Sequence, residues 1–189
     1  MKNKYIINKI AVLIMLIATS NIAKAQTSFK IEESRDNMMI LSGSSTSHEW
    51  TMKTKIFTGS AQFNLVPRND IKGLHSLEFS LPMLQLKNSK KVKANKFKYL
   101  TYKVTKAKVI DEKDSVYQVT TTGNLTIDGK TKVVNIDIYC FANKNGSITC
   151  TGKYILQMTD YHVENPSLMG GLMSTGETVL LDFSMRFER

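Results

Sequence analysis

The sequence predicts a mainly β, antiparallel protein, closed as a barrel or stacked as a sandwich, with one helix. Three observations predict it. Apolar residues recur at every second position in segment after segment, the pattern of strands that bury one face. Tight-turn pairs such as Asp128-Gly129 and Asn145-Gly146 separate neighbouring segments, which sets those strands antiparallel. Neither an internal repeat nor a low-complexity linker interrupts them, so one domain is expected.

The clearest strand lies near the C-terminus. Val179, Leu181, Phe183, Met185 and Phe187 share one parity. Thr178, Asp182, Ser184, Arg186 and Glu188 share the other, with Leu180 as the apolar exception. With no partner after it in the chain, this strand is expected to close a sheet already made.

Residues 1–25 read as a leader. Lys2, Lys4 and Lys9 form a basic start, and Ile10 to Ala18 is an apolar run short for a membrane span. Ala23-Lys24-Ala25 places small residues where a signal peptidase reads them, so cleavage after Ala25 and a mature start at Gln26 are expected. No Cys follows the site to carry a lipid anchor. The domain is then 26–189, long enough for a sizeable core. The formal net charge is +10, and the chain stays basic without the leader lysines, which favours anionic partners such as phosphates or lipid head groups.

The strands follow in order. Ser28 to Glu33 and Met38 to Leu41 come first. Trp50, Met52, Thr54 and Ile56 then alternate with polar residues, and the phase shifts near Gly59. Ala61, Phe63 and Leu65 resume it. Leu77, Phe79 and Leu81 follow, and Pro82 marks a strand end. Lys93 to Leu100 is the helical candidate, with Phe97 and Leu100 on one face. Strands resume over Tyr102 to Ile110 and Val116 to Ile127, then run from Val134 to Cys140 and from Ile148 to Met158. Asn165-Pro166 opens a Gly-rich loop before the closing strand.

The two cysteines, Cys140 and Cys150, flank the Asn145-Gly146 turn. A three-residue loop centred on Asn145 puts them directly opposite, and an exported chain can oxidise them. A cross-strand disulfide and a pair of buried thiols both fit this pattern. A slip of one residue would turn the side chains to opposite faces and exclude the bond.

Three segments resemble the YceI-like family in the family's order. They are Gly43-Ser-Ser-Thr-Ser-His-Glu-Trp50, Gly123-Asn-Leu-Thr-Ile-Asp-Gly-Lys-Thr-Lys132, and Gln157-Met-Thr-Asp-Tyr-His-Val-Glu-Asn-Pro166 followed by Gly-Glu-Thr-Val. The resemblance implies an antiparallel lipocalin-like β-barrel of about eight strands with one short helix near the mouth. It also implies export to the periplasm or outside the cell, and binding of a polyisoprenoid or similar lipid inside the barrel. Between Lys87 and Ile110 the sequence departs from the family pattern, being rich in Lys and lacking Pro.

Other chemistry finds little footing. His48, His75 and His162 are scattered and no Cys-x-x-Cys occurs, so neither a metal nor a cofactor is expected. Asp160, His162 and Glu164 share a parity that leads to the solvent face. No Gly-x-Ser-x-Gly elbow is present, and the chain is not expected to be an enzyme. A small outer-membrane barrel would show the same alternation, but aromatic girdles are missing, the loops are short and Arg189 ends the chain. A hydrolase-like site on the same scaffold is the other competing class.

The expectation is therefore an exported lipid-binding barrel that stores or transfers its ligand, with peripheral membrane contact. Its cavity lining is expected to include Trp50, Phe63, Phe79, Phe97, Leu100, Leu125, Ile136, Leu156, Leu181, Phe183 and Met185. Nine lysines from Lys87 to Lys108, unbroken by Asp or Glu and interleaved with Phe97, Tyr99 and Tyr102, would suggest nucleic acid inside a cell. The leader argues against that partner. Most of them read as a solvated face. Lys93 and Lys96 are the expected contacts to an anionic head group.

Overall fold

A computed structural model describes residues 26–32, 35–44, 49–66, 70–86, 99–161 and 178–189. Among them, ten strands make one antiparallel sheet: β1 (Gln26–Ile31), β2 (Met38–Ser44), β3 (Glu49–Thr54), β4 (Thr58–Val66), β5 (Asp70–Pro82), β6 (Tyr99–Lys113), β7 (Val116–Ile127), β8 (Lys130–Ala142), β9 (Ile148–Gln157) and β10 (Thr178–Glu188). The order is β1-β4-β5-β6-β7-β8-β9-β10-β2-β3, and β1 also pairs with β10. That last pairing closes a ring of eight strands, and the β2–β3 hairpin is added along β10.

The C-terminal strand is the closing element. One edge of β10 pairs with β9 from Thr178 to Phe187. The other edge is shared: Val179 to Ser184 pair with β2, and Phe187 and Glu188 pair with β1. Arg186 falls in the gap between those two partners. Asn37 fills it, accepting the Arg186 backbone N–H at 2.8 Å through Oδ1 and donating from Nδ2 to the Glu32 carbonyl at 2.6 Å. A side chain thus supplies bonds that neither β1 nor β2 makes to β10 at Arg186, and Asn37 is buried there.

The alternation read from sequence becomes an inside and an outside. Val179, Leu181, Phe183, Met185 and Phe187 are buried, and Leu180 faces outward, half-buried. The Asp128-Gly129 turn has φ of 49° and 77°, the left-handed pair that a two-residue hairpin needs. The paired strand ends Val66 and Asp70, Lys113 and Val116, and Ala142 and Ile148 lie at one end of the barrel, its floor. The β7–β8 hairpin, the last residues of β5 and β9 and the first residues of β6 and β10 lie at the other end, its mouth.

The floor is solid. Phe29, Phe63 and Phe187 stack edge to face at 5.5 and 6.2 Å, a favoured aromatic geometry, and the Arg189 guanidinium covers Phe29 at 5.7 Å. Cys140 pairs directly with Cys150 and the two form a disulfide, which resolves the choice left open by the sequence. The loop between them is as expected: Asn143 donates to the Ser147 carbonyl, leaving three residues at the tip. Replacing both cysteines with Ser is expected to lower stability by about 2–3 kcal/mol, because a short loop is freed in the unfolded chain. Urea unfolding measures this, and an unchanged midpoint would mean that packing alone holds the hairpin.

Some expectations are corrected. Leu100 is not on a helix: it lies in β6, opposite Leu81 of β5 and Ile127 of β7. The β-propensity of Tyr99-Leu-Thr-Tyr and two waiting partner edges outweigh a helical spacing of two apolar residues. The rest of the expected helix lies outside the described residues. Helical structure among the described residues is limited to 3₁₀ turns at Met83–Gln85 and Met158–Tyr161. Ile56 does not continue the inward series. It is half exposed, because the chain bends at Lys55 to Phe57 between β3 and β4 and turns Phe57 inward instead.

Candidate functional site

The register decides which inward side chains meet. Nearest the mouth, Val179 stands between Leu156 and Gly43, and Gly43 faces Trp50. One step deeper, Leu181 lies between Tyr154 and Leu41, with Met52 beyond. Phe183 comes next, between Gly152 and Met39. Below it Met185, Cys150, Cys140 and Tyr117 form the row above the floor. On the far wall Phe79, Tyr102 and Leu125 are consecutive neighbours.

Trp50, Phe63, Phe79, Leu100, Leu125, Ile136, Leu156, Leu181, Phe183 and Met185 therefore join one buried cluster. Phe97, Lys93 and Lys96 lie outside the described residues. Phe63 sits in the floor rather than in the upper interior, because β4 and β5 slip register on either side of it. Trp50 keeps 8% of its surface exposed and the other nine keep 2% or less, so these side chains touch one another rather than enclosed water.

Two features set the shape of this interior. Phe183 lies across Gly152: a Cβ there would come within 2.5 Å of the ring, so only glycine leaves room for it. Phe183 also meets Phe79 at 5.8 Å, and Phe79 meets Tyr102 at 5.9 Å, which bridges the barrel from wall to wall. The second feature is polar. Thr121 donates to the Ile136 carbonyl at 2.7 Å and is 2.8 Å from the Tyr102 hydroxyl, so Tyr102 donates to Thr121. No acid–base pair is formed by these groups; they can bind a chain and hydrogen-bond to it.

Residues 22–187 match the family described as the YceI-like domain. The chain belongs to the YceI-like family. No curated protein matches it significantly. Among solved structures it resembles a polyisoprenoid binding domain from Saccharophagus degradans, implicated in plant cell wall breakdown, with a TM-score of 0.58 at 12% identity over 85% of this chain and 97% of that one. It also resembles Burkholderia cenocepacia BcnA, with a TM-score of 0.57 at 13% identity over 82% and 98% of the two chains. At these identities the likeness is one of fold.

The outward face of the β7–β8 pair in this YceI-like barrel carries a row of polar pairs, beside exposed Val133 and Tyr139. Thr120 donates to Asp137 at 2.6 Å, Thr122 to Asn135 at 2.8 Å, and Thr126 and Thr131 share a bond at 2.7 Å across β7 and β8. An outer-membrane barrel needs an apolar band on that face, so the alternation here has the opposite sense. A concavity of about 350 Å³ crosses β4, β5 and β6; it is lined by the side chains of Thr58, Glu78, Ser80, Thr101 and Lys103 and also borders Gly59, Phe79 and Tyr102. Those five side chains are on the outward parity of their strands, so the concavity opens on the outer face of the sheet. Asp160 is also at the surface, 3.8 Å from Lys132, and His162 and Glu164 lie outside the described residues.

Sequence reasoning missed the polar interior and the rim. Lys130 and Lys132 continue the inward parity of β8 beyond Val134 and stand opposite Ile127 and Leu125. That parity is present in the sequence, but the apolar alternation that marks the strand ends at Val134. Tyr102, Tyr117, Tyr154 and Tyr161 also belong to the inward side, and burial raises the pKa of each phenol, Tyr117 to about 12. Each keeps its proton more tightly folded than unfolded. Their contribution to stability is therefore complete below the ordinary tyrosine pKa of about 10 and is lost as pH rises through the folded values. The tyrosinate absorbance contributed by these four phenols, beyond that of exposed Tyr99 and Tyr139, is expected to rise together with loss of β-sheet signal above about pH 10. Full ionisation of these tyrosines while the barrel stays folded would contradict their burial.

Proposed function

We propose that this YceI-like barrel is an exported lipid carrier that holds a polyisoprenoid, or a similar amphiphilic lipid, in its upper interior for storage or transfer. The observation that carries the reading is a closed ring, apolar inward on every wall, with an aromatic floor at one end and a mouth at the other. The polyisoprenoid binding domain from Saccharophagus degradans has the same fold. The interior side chains already pack together, so a lipid chain enters by replacing side-chain contacts. Met39, Met52, Met83, Met158 and Met185 are buried there, and their unbranched side chains can repack at small cost. Burying each methylene contributes about 0.8 kcal/mol, so affinity should climb with prenyl length until the interior is full. Titrating delipidated protein with prenyl alcohols of increasing length tests this. Affinity independent of length would overturn it.

The same proposal includes export, binding without catalysis and contact with a membrane at the mouth. Protein secreted by its host is expected to begin at Gln26 on N-terminal sequencing. Retention of residues 1–25 in the membrane fraction would contradict cleavage. Lys93 and Lys96 are proposed as head-group contacts, each exposed contact contributing about 1 kcal/mol or less and weakened by salt. Reversing both charges should lower affinity for a prenyl phosphate but not for a neutral quinone of equal chain length. Equal loss for the two ligands would return these lysines to a role at the entrance, and no loss to a solvated face.

A further inference from the structure

Trp50 carries an observation that a purely packed core does not explain. It is the single tryptophan of the chain. Its side chain is buried on the inward face of β3, and its indole N–H is shielded from solvent with no hydrogen-bond partner among the described residues. Indole nitrogen is a donor only, so nothing but an acceptor can satisfy it. A buried donor left unpaired is destabilising, and such groups are uncommon in folded proteins.

The surroundings hold the ring in place. Gly43 is its direct partner on β2, and a Cβ there would come within 2.3 Å of the indole carbons. The missing side chain at Gly43 is the seat of the ring. Val179 and Leu156 continue the row, so no charged side chain stands in it. This row is the one nearest the mouth on β2, β9 and β10. The Tyr117 hydroxyl also makes no close hydrogen bond among the described residues, but Glu112 and the Ile71 backbone are near it, and it lies in the row just above the floor, beside the disulfide, where an entering ligand arrives last.

We propose that the Trp50 N–H recognises an oxygen acceptor on the bound lipid, so that the barrel selects oxygen-bearing prenyl lipids over prenyl hydrocarbons. This rests on the lipid-binding reading above. It adds that the polar end of the ligand stays near the mouth at the Gly43–Trp50 pair, while the hydrocarbon tail runs down toward Phe183. The acceptor is a carbonyl, hydroxyl or ester oxygen; a group without lone pairs leaves the N–H as it is.

A single tryptophan gives a single indole resonance, which makes the test direct. Isotope-labelled, delipidated full-length protein is titrated with a farnesylated benzoquinone, and separately with the oxygen-free triene of the same prenyl chain. The quinone is expected to move the indole proton downfield and slow its exchange with solvent, and the triene to do neither. In parallel, Trp50→Phe keeps an aromatic ring and removes the donor. Its affinity for the quinone should fall about three- to tenfold further than its affinity for the triene, the range of one hydrogen bond. If both probes bind and the indole responds alike, or if Trp50→Phe weakens both equally, Trp50 is packing and the assignment is overturned. If neither probe binds the unmodified protein, the lipid-binding reading falls, and this assignment falls with it.

Discussion

Phe183→Asp is expected to abolish lipid retention and to destabilise the barrel by about 4–5 kcal/mol, enough to unfold a domain of ordinary stability. Phe183 is 2% exposed, seated on Gly152 and in contact with Phe79, so the new carboxylate would stand among apolar groups without a cation. An unpaired charge in such a place costs far more than the lost ring contacts alone. Thermal unfolding by circular dichroism reads the stability. Phe183→Leu separates the two effects: it should fold, at a cost of about 1–3 kcal/mol, and bind a different amount of lipid because the wall-to-wall aromatic bridge is gone. An Asp variant as stable as the parent would show that position 183 is open to water, contrary to the structure.

The second large effect is expected at Asn37, far from any ligand. Asn37→Leu keeps the branched shape and the number of heavy atoms and removes both hydrogen bonds that join the β1–β2 gap to β10. The Arg186 N–H and the Glu32 carbonyl lose their partners, each at about 1–3 kcal/mol where water cannot replace them, so a loss of about 2–5 kcal/mol is expected. The ion pairs of Arg186 with Asp36 at 2.6 Å and Glu188 at 2.7 Å brace the same junction from the surface and should offset little of it. Hydrogen exchange at the Arg186 amide is the specific readout. Protection unchanged in Asn37→Leu would mean that the ring is closed by the strands without this plug.

Asn37 also shows where the sequence stops being informative. The alternation in β7, β8 and β10 was legible because each strand has one buried face and a tight turn at its end. The side of the barrel containing β1 to β4 was harder. There the chain switches partners along β10, bends at Lys55 to Phe57, and slips register around Phe63. None of these leaves a periodic signal, because each depends on what lies on the neighbouring strand. Leu100 failed for a similar reason, its fate being set by the edges of β5 and β7. For the site, the apolar wall was readable residue by residue. The Tyr102–Thr121 pair, the rim lysines Lys130 and Lys132, and the unpaired Trp50 N–H were not, since a polar atom acquires its meaning from three-dimensional neighbours.

The central claim is that the barrel carries a lipid, and native mass spectrometry of the protein purified from its own host tests it most directly. The account predicts a complex one lipid heavier than the bare chain, whose extracted ligand is an oxygen-bearing polyisoprenoid. It also predicts that Phe183→Leu shifts the bound amount while the fold persists. Bare protein from cells containing such lipids, and no uptake when they are added to the purified chain, would contradict it.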